Sequence, residues 1–171
     1  DKDDRLQNDA AEMIGKYRTQ MGEFKFHLGL QAVWEFVGSA NRYIVQNEPW
    51  SLAKDDNLRP RLQTVLYNLG ESLRLLALLL KPVMPRTAAK MMDGLGIEAD
   101  SPMMQTLEQG GAWGLSTPGT KLRKVGSLFP RIDVHQQEPE SQEKKPPKSA
   151  TKAGKRDSLI GFDQFKEIEL R

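Results

Sequence analysis

The sequence predicts an all-α fold, an antiparallel helix bundle with an irregular C-terminal tail. Two long stretches repeat apolar residues at helical spacing, while glycine and proline gather after residue 93. Hydrophobic residues make up 38% of the 171, and three of them are Trp, enough to build a core. A domain of about 130 residues with an extension is the natural organisation.

Leu6, Ala10, Met13, Ile14 and Tyr17 predict a first helix over residues 4–20, broken at Met21-Gly22. Phe26, Leu30, Val33, Val37, Ala40 and Ile44 step by four and three, predicting a second helix over 23–46 with Trp34 beside its stripe. Burying each large side chain there contributes roughly 1.5–3 kcal/mol. A short helical turn is expected at Trp50–Lys54, ended by Asp55-Asp56-Asn57. Pro60 suits the first turn of the next helix, whose stripe runs Leu62, Val65, Leu66, Leu69, Leu73, Leu76, Ala77 and Leu80. Gly70 costs about 1 kcal/mol inside that helix, so a close helix crossing is expected at it. Pro82 and Pro85 end the helix, and a shorter one follows to Met92 with Gly94 or Gly96 as its cap.

From Asp100 to Asp133 helical periodicity is lost, and short strands are expected between the turn signals Gly110-Gly111, Ser116-Thr117-Pro118-Gly119 and Gly126. Trp113, Leu115, Leu122, Val125, Leu128 and Phe129 are expected to lay this segment back on the bundle. Residues 134–157 read as a basic, Pro- and Lys-rich linker, with six cations and no anion in 144–156. Hydrophobic pattern returns in residues 158–171, too few to bury a core of their own.

Composition narrows the function. No apolar run approaches the ~20 residues that span a bilayer. Zero cysteines exclude disulfides and thiolate metal sites, which suits a reducing cytoplasm. A net charge of +2 does not make a binder that works by wholesale phosphate neutralisation. His27 and His135, the only imidazoles, lack metal-ligand spacing, and no nucleophile motif or dinucleotide loop is present. The chain offers no catalytic residue and no metal ligand set.

The most informative stretch is Asn47-Glu48-Pro49-Trp50-Ser51-Leu52-Ala53-Lys54. Proline pushes its predecessor out of helical geometry and fits the first turn of a new helix, so one helix should stop near Asn47 and another begin at Pro49. Trp50 then sits at a seam with two readings. It packs as a hydrophobic staple, or it stacks on an unpaired nucleic-acid base, a contact worth about 1–3 kcal/mol. Arg42, two turns earlier, reads as a solvent-facing charge paired with Glu35 or a neighbour, or as an RNA contact. Lys144, Lys145, Lys148 and Lys152 read as a solvated tether, or as a weak grip on RNA phosphates.

Tyr43-Ile44, Pro49-Trp50-Ser51-Leu52-Ala53-Lys54, Leu80-Lys81-Pro82-Val83-Met84-Pro85 and Lys124-Val125-Gly126-Ser127-Leu128-Phe129-Pro130-Arg131-Ile132 together resemble the anticodon-binding domain of the methionyl-tRNA synthetase family. The likeness covers about residues 5–133, with Val45 where members often carry an acid. It implies that Trp50 stacks on an anticodon base of tRNA(Met) and that Pro49 shapes the pocket. Residues 1–133 become the anticodon-binding bundle with its return segment. Residues 158–171 resemble the start of the OB-fold tRNA-binding domain appended to many family members, here expected to be truncated. The resemblance implies a fragment of an ATP-dependent methionine–tRNA ligase, non-catalytic alone and cytoplasmic. ATP with magnesium, and zinc as a further candidate, belong to a catalytic domain outside this chain. The fragment is expected to be monomeric, with a parent dimer made through the barrel. Two alternatives remain: a helical protein-docking module, or the related bundle of a Leu, Ile, Val or Cys synthetase.

Overall fold

The computed structural model describes residues 1–98 and 100–130. The linker 134–157 with its four lysines, the segment 158–171, Arg131 and His135 lie outside the described residues.

Helix α1 (Lys2–Gly22) opens on Asp1, whose carboxylate accepts from the N–H groups of Asp3 at 2.8 Å and Asp4 at 2.9 Å. Its buried face is Leu6, Ala10, Met13 and Tyr17, as the spacing predicts. Helix α2 (Phe26–Asn47) packs antiparallel along it. The buried face of α2 is Gly29, Val33, Phe36, Ala40 and Tyr43, one residue round from the expected stripe. Phe26 is exposed, and Leu30, Val37 and Ile44 are only half-buried. A Cβ at Gly29 would stand 3.2 Å from the Met21 side chain of α1, so the glycine gives that methionine room at the start of the interface.

After the one-turn helix α3 (Pro49–Leu52) and a 3₁₀ turn (Asp56–Leu58) comes the central helix α4 (Arg59–Leu80). Val65, Leu76, Ala77 and Leu80 are buried as expected, but Leu66 and Leu73 face solvent. The inward face instead includes Asn68, Glu71, Ser72 and Arg74. No heavy atom lies within 4 Å of a Cβ built on Gly70, so no helix crosses there. Helix α5 (Pro85–Gly94) ends in a Schellman cap, with Gly96 at φ +70°, Gly96 N–H donating to Asp93 O (3.0 Å) and Ile97 N–H to Met92 O (2.9 Å). Gly96, not Gly94, is the capping glycine.

The return segment holds a 3₁₀ turn (Pro102–Met104) and the short helix α6 (Leu107–Gly110), and no strand forms among the described residues. The backbone groups a ladder would use are taken by two buried side chains of α4. Glu71 accepts from the N–H groups of Gly114 (2.7 Å), Leu115 (3.2 Å) and Ser116 (2.8 Å). Arg74 donates to the carbonyls of Gly110 (2.6 Å) and Ala112 (2.7 Å), and its Nε and Nη2 N–H groups meet the two Glu71 oxygens at 3.0 and 2.9 Å. Gly110 approaches Met103 so closely that any side chain would collide with its carbonyl. Trp113 and Leu107 pack on the core, whereas Leu122 and Phe129 remain exposed. Polar clamping, rather than the full apolar set, lays this segment on the bundle.

Candidate nucleic-acid interface

Glu48 ends α2 in the left-handed region (φ +42°, ψ 61°), and Pro49 starts α3 immediately afterwards. The Glu48 carbonyl accepts from Ser51 N–H (2.8 Å) and Leu52 N–H (3.1 Å), which closes the new turn at once. Leu52 anchors that turn against the core. Trp50, two residues earlier, is left 54% exposed, and Pro49 beside it is half-buried. The indole therefore stands outside the packed core.

A polar network beneath the elbow fixes its direction. Asn47, the last residue of α2, donates to Tyr43 O at 2.8 Å and accepts from Arg61 of α4 at 2.6 Å. Arg61 also grips both oxygens of Asp3 on α1, in a fork that suits a carboxylate. Tyr43 O–H donates to the same carboxylate at 2.6 Å and accepts from Asn68 at 3.0 Å. The Arg61 bond holds the Asp3 carboxyl below its ordinary range against the opposing effect of burial. Burial, reinforced by the bond to Asp3, pushes the Tyr43 phenol up to about 12. Asp3 is an anion and Tyr43 a neutral donor across the physiological range, so α1, α2 and α4 are tied at the end that carries Trp50.

None of Asp3, Tyr43, Asn47, Arg61 and Asn68 was a candidate from sequence. Signals existed: Arg61 is a cation in a helix's first turn, where the dipole disfavours it unless an anion is supplied. Arg42 is exposed and donates to Ser39 Oγ at 2.8 Å, so its partner is this neighbour and not Glu35. Glu35 instead accepts from Gln31 and faces Lys16. His27 is exposed on α2. Among the described residues no group of three or more His, Asp or Glu side chains is placed to hold a metal ion. No helix among the described residues is long and apolar enough to cross a membrane.

A helical bundle that turns an indole outward at a braced elbow has the build of a binding module. Comparison with known proteins supplies its kind: residues 1–145 match the family described as the anticodon binding domain of methionyl tRNA ligase, and the chain belongs to that family. It is similar to the methionine–tRNA ligase of Caldanaerobacter subterraneus subsp. tengcongensis, 37% identical over 99% of this chain and 26% of that protein. The methionine–tRNA ligase of Clostridium acetobutylicum is 40% identical over 77% of the chain and 20% of its own length. Among solved structures, apo methionyl-tRNA synthetase of Mycobacterium tuberculosis aligns with a TM-score of 0.68 and 34% identity, over 77% of this chain and 26% of that one. The chain thus spans about a quarter of the length of the relatives it matches. The family read from the Pro49-Trp50-Ser51-Leu52-Ala53-Lys54 and Leu128-Phe129-Pro130 motifs is confirmed.

Proposed function

We propose that this chain reads the anticodon of tRNA(Met) as part of a cytoplasmic methionine–tRNA ligase, which joins methionine to that tRNA at the expense of ATP. The observation that carries the reading is the 54% exposure of Trp50 at an elbow next to Pro49 and the Asp3–Arg61–Asn47 network. Unpaired anticodon bases can be splayed out and stacked on such a ring. The bundle's part is to orient the tRNA, while ATP with magnesium, and zinc where a ligase uses it, act in the catalytic portion of such an enzyme. Residues 134–157 are a tether in this reading. Lys144, Lys145, Lys148 and Lys152 add a sequence-blind hold on phosphates that weakens with salt. Residues 158–171 belong, in this reading, to an OB-fold tRNA-binding domain of the kind through which such ligases pair.

The test is Trp50→Ala in a full-length ligase carrying this domain. Loss of one stacked base raises KM for tRNA roughly 5- to 150-fold, about 1–3 kcal/mol, with methionine-dependent ATP–pyrophosphate exchange unchanged. Normal charging by the variant would refute the stacking role.

A further inference from the structure

The seam between α1 and α2 opens, at the Trp50 end, into a cleft walled by Lys2, Arg5, Asp9 and Arg42 over a floor of Leu6 and Tyr43. The three cations are exposed, and among the described residues none has a carboxylate within salt-bridge distance. Lys2 spends its ammonium on the Gln46 carbonyl (3.0 Å) and Arg42 its guanidinium on Ser39 Oγ (2.8 Å). Farther along the same seam the charges cancel, because Lys16 stands between Glu12 at 2.8 Å and Glu35 at 3.6 Å. Cations without a carboxylate partner therefore gather at one end of the seam, where Asp9 in the wall and Asp1 and Asp4 at the start of α1 carry the opposing charge. That end is the right one. Gln46, which Lys2 touches, precedes Trp50 by four residues across the Glu48 elbow, at most about 14 Å of chain.

We infer that Lys2, Arg5 and Arg42 form a second RNA contact, a track for the phosphodiester backbone that leads away from the base stacked on Trp50. The cleft at Lys2 encloses only about 20 Å³, but along Arg5, Asp9 and Arg42 it runs on into an open cavity of about 420 Å³, room for an extended chain to lie along the seam. Cations on flexible stems, spread over two helices, suit successive phosphates, which position an RNA without reading its sequence. Asp9 in the same wall opposes the anion and sets the sign of a control. The inference deepens the anticodon reading and rests on it for the direction of the RNA strand.

The experiment titrates a fluorescein-labelled anticodon stem-loop with a CAU loop against the 171-residue chain, by anisotropy, from about 50 to 300 mM potassium chloride. The variants are Lys2→Gln/Arg5→Gln/Arg42→Gln together, Asp9→Asn, and Trp50→Ala, each checked for an unchanged helical circular dichroism spectrum. Three lost single-strand contacts should lower the slope of log affinity against log salt by about 2, from ~0.7 per phosphate. Affinity for a CAU loop and for a scrambled loop should fall in the same proportion, and Asp9→Asn should tighten both. Trp50→Ala should leave the slope in place and lose the preference for CAU. A triple variant with an unaltered slope overturns the track, whatever Trp50→Ala does. A lowered slope with no CAU preference in the native chain keeps the track and removes the anticodon reading. No salt-dependent binding by the native chain overturns both.

Discussion

Two of the ion pairs among the described residues differ sharply in their access to water. Arg61 and Asp3 sit at the Trp50 end with side chains 37% and 16% exposed, while Glu71 and Arg74 are both at 0% beneath the return segment. The exposed pair joins three helices that already share an apolar face, so it refines a geometry that packing has set. The buried pair holds a segment without regular structure, so the path of residues 110–116 depends on it. Burial turns the same chemistry from an adjustment into a requirement, because a lone charge left in the interior cannot be rehydrated.

The sharpest way to break this contrast is Glu71→Ala. It leaves Arg74 buried and unpaired along with three backbone N–H groups, and should cost about 3–5 kcal/mol in urea unfolding. A cost near that of an exposed pair would show that water reaches Arg74. Acid tests the same side without a mutation. Burial alone would raise the Glu71 carboxyl, but Arg74 and the Ser116 and Gly114 N–H groups bring it down to about 2 from an ordinary 4.5. A carboxyl lowered in the fold contributes stability above its unfolded value and loses it as pH falls through the folded one. About 3 kcal/mol should therefore disappear between roughly pH 5 and pH 2, as measured by urea midpoints along a pH series. Trp50→Ala, whose RNA effect is set out above, should move the urea midpoint by no more than about 0.5 kcal/mol, since that ring lies outside the core. At the open pair, Arg61→Ala should cost about 1 kcal/mol of stability, discounted for its exposure. It should also raise KM for tRNA by loosening Asn47 while kcat holds. A stability loss equal to that of Glu71→Ala would erase the distinction. One further effect has the opposite sign: Gly70→Ala should stabilise α4 by about 0.5–1 kcal/mol, because no neighbouring element occupies the space its methyl would fill.

The same contrast marks what the residues disclosed in advance. Apolar spacing placed α1, α2 and α4 and the elbow at Pro49, since helix periodicity and proline geometry are local properties. It picked out Val33 and Ala40, which lie in the core, and Leu30 and Val37, which pack at its edge, but passed over Phe36 and Tyr43, which are buried more deeply than that edge. Strands were expected after Gly110 because nothing local reveals that Glu71 and Arg74, more than thirty residues away, absorb the backbone groups a ladder needs. Trp50 was visible from its neighbours in sequence. The brace of Asp3, Tyr43 and Arg61 was not, for its members come from three helices and meet only once these pack.

Glu48 carries a further consequence. A glycine would adopt its left-handed backbone freely, whereas a residue with a Cβ accepts it at a cost of roughly 1–2 kcal/mol. In return the hinge before Pro49 has few other conformations to visit. An arriving nucleobase then meets an aromatic surface whose ordering entropy was already spent during folding, so less of the contact energy is consumed in stilling the loop.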